Sequence, residues 1–167
     1  MELWDAYTKD FERLDFLFLV RGRKIPDGIF HLASDVLVAR TDGSVLMLLR
    51  NSDRTSGGMW EVSAGGAAKV GEDARKCAER ELFEETGIRG TDFTELGRYV
   101  DQKKHTLYVQ YLFVTDGKAD VVLDHNEHAY YIWINPASIL CMNPSEVVLE
   151  RVRPHLEKLV AKTKSKR

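Results

Sequence analysis

Short apolar, β-rich runs bounded by polar, Gly- or Pro-containing segments recur along the chain, and such runs predict strands. Residues 2–7 and 16–21 are two of them, separated by the charged turn TKDFERLD, and predict a small antiparallel flap beside the main body. Residues 22–28 read as a loop from their Gly and Pro content. Residues 31–40 and 45–50 predict longer strands, with Asp42-Gly43 between them as a hairpin signal. A short strand at 60–63 feeds a Gly65-Gly66 turn. Residues 93–101 and 106–115 predict another hairpin, and 130–134 a further strand ending at Asn135-Pro136. A short helix is expected over 136–142. A last helix is expected over 144–161, kinked or interrupted by Pro154. The basic tail at 162–167 reads as solvated and frayed.

The pattern changes period between Glu72 and Gly87. Glu72-Asp73 suits the first turn of a helix, and Gly87 suits the left-handed position after the last turn. At 100° per residue, Glu81, Glu84 and Glu85 fall within an arc of about 100°. Ala74, Cys77 and Ala78 share nearly the same arc, whereas Arg75, Lys76 and Glu79 point away. An acidic helical run is ordinarily a solvated face. Here the acids lie on the side whose small residues would pack inward, where each close pair repels by about 1–4 kcal/mol. Such a trio raises its own pKa values or takes a cation between its members. All-oxygen donors point to a hard ion, Mg²⁺ first, with Mn²⁺ or Ca²⁺ as alternatives.

Length and composition narrow the class. With 167 residues, 44% hydrophobic and 30% charged, the chain predicts one domain over 1–167, divided as strands and loop (1–28), core (29–161) and tail (162–167). A net charge of −2 argues against a general nucleic-acid binder. Cys77 and Cys141 are too few and too separated for a disulfide framework or a zinc site. No apolar run approaches membrane-spanning length, and MELWDAYTKD does not read as a signal peptide, so a cytoplasmic location is expected.

The spacing Gly66, five residues, Glu72, seven residues, then Arg80-Glu81-Leu82-Phe83-Glu84-Glu85-Thr86-Gly87-Ile88 resembles a complete Nudix box. Its flanks are similar too, since Gly58-Met59-Trp60 leads into Gly65-Gly66. Ala64 stands where many members have Pro. The resemblance implies an α/β fold, an α/β/α sandwich with a mixed central sheet. It also implies hydrolysis of a small-molecule diphosphate, usually a nucleoside diphosphate joined to another group, with Mg²⁺ (or Mn²⁺) as cofactor. By the same resemblance Glu81, Glu84, Glu85 and the Gly65 carbonyl are metal ligands, Glu81 doubles as general base, and Arg80 orients the carboxylates. A homodimer is common in the family.

Glu72 is the other fixed charge of the box. On one straight helix it would lie about 12 Å from Arg80 along the axis, so it either sits in a loop that folds back or caps the helix. Glu127 stands where several family members place an extra acidic ligand or base. Arg50 and Arg54, in a polar loop, are candidates to hold phosphate oxygens. Trp60 is a candidate to stack on a base, set against a core role. His125 and His128 are expected to be exposed. Residues 22–37 and the start from Trp4-Asp5 resemble the branch related to isopentenyl diphosphate isomerase, and His31 falls at one of that enzyme's metal-binding histidines. The isomerase cysteine is missing near Gly65, Ala67 replaces a second histidine, and residues 106–110 carry no carboxylate. Isomerisation needs that acid and base, so His31 reads as a strand residue in the core or a pocket wall. The rival to a hydrolase is a binding or regulatory domain that keeps the box without turnover.

Overall fold

The computed structural model describes residues 1–118 and 120–164, without the side chains of 163 and 164. The end of the expected basic tail, 165–167, therefore lies outside the described residues. Ten strands and three helices are assigned among them.

β1 (Leu3–Tyr7) and β2 (Arg13–Val20) form the antiparallel flap. The flap is tied down by backbone bonds. Tyr7 and Phe30 exchange N–H···O bonds of 2.9 and 3.0 Å, Val70 N–H reaches Leu3 O at 3.1 Å, and Gly71 N–H donates to Asp5 Oδ2 at 2.8 Å. Asp5 is buried, so removing that bond would strand a carboxylate.

The main sheet is mixed. β3 (His31–Arg40) pairs in parallel with β8 (Thr106–Thr115), while β4 (Val45–Arg50), β7 (Phe93–Asp101) and β9 (His128–Ile134) join in antiparallel. β5 (Trp60–Glu61) extends the sheet beyond β4. β6 (Ala64–Ala67) pairs with β3 through four register positions, where a glycine turn was expected. Strand parity sorts the core into two layers. Leu32, Val36 and Val38 face α1 (Ala74–Thr86) with Leu82 and Cys77. Leu37, Ala39, Val45 and Met47 face α2 (Pro136–Leu140) and α3 (Arg153–Lys164) with Ile139 and Leu156. Helices on both faces of a mixed sheet give the α/β/α arrangement.

The last helix differs from its expectation. Residues 144–152 are not helical, and α3 starts at Arg153. Pro154 has no N–H to donate and fits the first turn, where none is needed. Upstream, the Asn143 side chain accepts from Ser145 N–H at 3.0 Å and turns the chain. β10 (Val147–Val148) then pairs in parallel with β5, burying Val147. Among the described residues no helix is long and apolar enough to cross a membrane.

Candidate active site

α1 places the acidic residues. The Asp73 side chain caps it by accepting from Lys76 N–H at 2.8 Å, and Gly87 closes it with φ 69°. Ser34 Oγ on β3 donates to Ala74 O at 2.6 Å, and Cys77 Sγ approaches Gly66 O at 3.3 Å. The helix is thus fixed to β3 and β6 along its first two turns. Burial pushes the Cys77 thiol up to about 12, with the Glu81 charge adding to it, so it serves as an inert packing group.

Arg80 is the hub of the site. Its Nε and Nη2 donate to the two carboxylate oxygens of Glu72 at 2.8 and 2.9 Å. Its Nη1 donates to Glu81 at 2.6 Å and to Glu84 at 2.9 Å, and Nη2 also reaches Ala67 O at 2.9 Å. Glu72 precedes the capping residue, in a turn where Lys69 N–H donates to it at 2.9 Å. The loop folds back, which resolves the alternative left by its spacing from Arg80. Burial alone would raise the Glu72 pKa, but the hydrogen bonds and charges of Arg80 and Lys69 hold it below the usual carboxylate range.

The three box carboxylates sit at different depths. Glu84 is half exposed and also faces Lys69 Nζ at 3.6 Å. Glu81 is largely buried, and that burial, opposed by Arg80, raises its pKa. Glu85 is buried, accepting from Gly65 N–H at 3.2 Å. Burial first, then the charges of Glu61 and Glu81, push its carboxyl well above the ordinary 4.5. Gly66 makes room for Glu81, because a Cβ there would collide with the Glu81 carboxylate.

Together these residues line a cleft of about 400 Å³ that also takes in Gly65, Arg50 and Glu127. The flap supplies one wall through Glu2, Trp4 and Arg21. Arg50 is engaged there, donating to Glu61 Oε1 at 2.7 Å and lying 3.9 Å from Glu127. Arg54 meets Glu127 at 3.0 Å and Asn126 O at 2.9 Å, behind the cleft rather than in its lining. Trp60 faces away and packs against the second core layer. His125 is exposed as expected, but His128 is fully buried, with Nε2 2.7 Å from Glu61 Oε1. β9 begins at His128 rather than at residue 130 and pairs with β4, which carries that ring inward.

Glu61 had not been singled out from the sequence. The available signal was parity, since in a strand beside Trp60 it must point to the opposite face, toward the box. Asp35 is a second such residue, a carboxylate in the middle of a buried apolar strand.

A divalent ion is implied by this acidic set. Among the described residues no three His, Cys, Asp or Glu side chains are placed to hold a metal ion between them, and Arg80 occupies Glu81 and Glu84. The donor chemistry nevertheless fits. The groups are all oxygen, and Glu85 is a buried carboxylate on which the charges of Glu61 and Glu81 outweigh that of Arg50, a state a hard ion relieves.

A doubly covered mixed sheet with carboxylates of one helix drawn around an arginine defines an α/β protein with a loop–helix acidic site. The chain belongs to the NUDIX domain family, whose profile matches residues 29–159. It is 36% identical over 89 residues to an uncharacterized Nudix hydrolase, lin0387, of Listeria innocua, covering 53% of this chain and 52% of that one. It is 30% identical over 125 residues to an RNA pyrophosphohydrolase of Sphingopyxis alaskensis, covering 62% of this chain and 77% of the relative. The crystal structure of DR0079 from Deinococcus radiodurans superimposes with a TM-score of 0.70 over 84% of this chain and 87% of that one, at 17% identity, a likeness of fold. The chain spans about half the length of the first of these relatives.

Proposed function

We propose that the chain is a metal-dependent hydrolase of diphosphate linkages in small molecules, with water attacking phosphorus and Mg²⁺ or Mn²⁺ as cofactor. The observation that carries this reading is the cleft itself, where Glu81, Glu84, Glu85 and Glu127 gather around Arg80 and Arg50. Six carboxylates and four basic side chains line it. An anionic diphosphate entering alone would meet net repulsion, so the substrate class and the cation support each other. When bound, a divalent ion offsets phosphate charge and lowers the pKa of a coordinated water. Glu81, Glu84, Glu85 and the Gly65 carbonyl are the groups that would hold it.

The chain's own residues then have separable tasks. Arg80, braced by Glu72, holds Glu81 and Glu84 in position. Glu81 and Glu127 are the candidate bases, each able to take a proton from water in the cleft. Arg21, Arg50 and Lys69 offer positive charge to phosphate oxygens from the walls. The relative named RNA pyrophosphohydrolase supports the class of linkage. His31 stacks on Trp4 and hydrogen-bonds Thr106, which supports a wall role over that of an isomerase-type metal ligand.

The test is phosphate or diphosphate release from nucleotide sugars, dinucleotides, nucleoside triphosphates and prenyl diphosphates, with each metal, beside Glu81→Gln. Turnover of one class that disappears in the variant is expected. Metal-dependent binding across the panel without turnover would instead mark a binding domain.

A further inference from the structure

β4 and β9 run antiparallel, with Arg50 in register with His128. The loop that leaves β4 and the loop that enters β9 therefore lie side by side, and the second carries Glu127 into the lining of the carboxylate cleft. Two residues of the first loop hold the second. Asn51 donates its backbone N–H to Glu127 O at 2.9 Å and its Nδ2 to His125 O at 2.7 Å. Arg54 donates its Nε to Asn126 O at 2.9 Å, and its Nη2 lies 3.0 Å from Glu127 Oε1. Three successive carbonyls, of His125, Asn126 and Glu127, are thus each taken by a donor from the neighbouring loop.

Both loops are also closed on themselves. Arg54 N–H donates to Asn51 O at 3.1 Å, and Gly57 N–H to Arg54 O at 2.8 Å. Gly57 is needed there, because a Cβ would lie 2.5 Å from Ser52 O. In the second loop Asp124 Oδ1 accepts from Asn126 N–H at 2.9 Å, and Asp124 O accepts from Glu127 and His128 N–H at 3.0 and 2.9 Å. On its far side this segment meets the end of α1, where Asp124 N–H donates to Glu85 O at 3.3 Å and Val122 N–H to Thr86 O at 2.8 Å. Glu127 is therefore braced between the acidic helix and Arg54.

As an ion pair of partly exposed groups, Arg54 and Glu127 add little to stability. The effect of the contact is on placement. Oε1 faces Arg54, while Arg50 Nη2 stays 3.9 Å from Oε2, beyond hydrogen-bond reach. Oε2 is then the oxygen left to take a proton. Glu81 is held by Arg80 at 2.6 Å and belongs to the groups that would hold the metal, which makes it the poorer base of the two. Arg54 stands behind the cleft lining and reaches the site only through Glu127.

We infer that Arg54 is a positioning residue, which sets the Glu127 carboxylate at the cleft and does not itself hold phosphate. The inference rests on the hydrolase reading, with Glu127 as the base. In that step the water oxygen bonds to phosphorus while its proton passes to Glu127. The bridging P–O bond breaks, and the leaving group keeps the electron pair.

The experiment measures kcat and KM with Mg²⁺ for wild type, Arg54→Met, Arg54→Lys, Glu127→Gln and the Arg54→Met/Glu127→Gln double variant. The substrate is whichever of UDP-glucose, diadenosine tetraphosphate, GTP and isopentenyl diphosphate the wild type cleaves fastest. Glu127→Gln should lower kcat by about 100-fold or more, as loss of a general base does. Arg54→Met should lower kcat by about 10–100-fold through misplacement, with KM within about twofold and melting near wild type. Arg54→Lys keeps the charge but cannot serve Asn126 O as well, so its kcat should fall between the two. In the Glu127→Gln background, Arg54→Met should cost no further activity, because the residue it positions is already lost. A raised KM with kcat held would make Arg54 a phosphate ligand and overturn the inference. An equal loss in both backgrounds, with lowered melting, would overturn it in favour of a general structural role. Wild-type kcat in Glu127→Gln would also overturn it while leaving the hydrolase reading intact. If the wild type cleaves none of the four compounds, the hydrolase reading fails and takes the inference with it.

Discussion

Arg80 and Glu72, eight residues apart, are joined by two parallel hydrogen bonds, and the same guanidinium reaches Glu81 and Glu84 with its remaining amino group. A lysine keeps the charge but loses the planar fork, so it can serve one carboxylate well and not three. Arg80→Lys is expected to lower metal-dependent kcat by about 10–100-fold, as loss of an orienting partner does in metal sites. It should also cost about 1–3 kcal/mol in urea unfolding. Wild-type kcat in that variant would remove Arg80 from the organising role.

The two glycines of β6 make opposite predictions. A Cβ at Gly65 would lie 2.6 Å from Ser34 O, a backbone atom of the paired strand that cannot turn aside. Gly65→Ala should therefore lose about 1–3 kcal/mol of stability. At Gly66 the obstacle is the end of the Glu81 side chain, which can move. Gly66→Ala should melt close to wild type while its turnover falls, because Glu81 is displaced. Thermal melts and kcat for the two variants side by side check this, and matching losses of stability would contradict it.

Glu85 predicts the pH dependence of the metal-free protein. Its folded pKa is raised above the ordinary 4.5, so the folded state keeps a proton that the unfolded chain releases. Stability from this group is complete below 4.5 and is lost as pH rises through the folded value, with a slope of at most about 1.4 kcal/mol per pH unit. Glu85→Gln should remove that slope, so the variant gains on wild type as pH rises. Added Mg²⁺ should stabilise wild type by about 2.7 kcal/mol at a hundredfold excess over Kd and do much less for the variant. Urea titrations across pH, with and without metal, would show both effects, and parallel pH curves would sink the assignment.

Asp73 offers a control in which stability alone should change. Asp73→Ala removes the cap from α1 and should cost about 1 kcal/mol. The carboxylates face another side of the helix, so kcat and KM should stay near wild type. A large loss of activity would mean that the first turn is part of the site.

Much of this was legible in the sequence, for identifiable reasons. β3, β4, β7 and β8 begin and end where the β-rich runs between turn residues do, because each is bounded by polar or Gly-containing segments that break the strand. The acidic arc of α1 was legible because 3.6-residue periodicity fixes which side chains share a face. Contacts that depend on tertiary return were not legible. Glu72 meets Arg80 only because a loop reverses, and Asp35 meets Arg151 across 116 residues. The final helix was expected too early because Pro144 can start a helix as well as Pro154 can. Burial of Val147 beside Trp60 decides between them.

β3 carries a further consequence. Ser34 holds the first turn of α1 on one face, and Asp35, its immediate neighbour, locks Arg151 on the other. Odd and even positions of one strand therefore answer to different demands, one set to the anchoring of Arg151 and the other to the posture of the acidic helix. A change at Asp35 would release Arg151 on one side of the strand while Ser34 keeps α1 seated on the other, so the two faces of β3 can be altered one at a time.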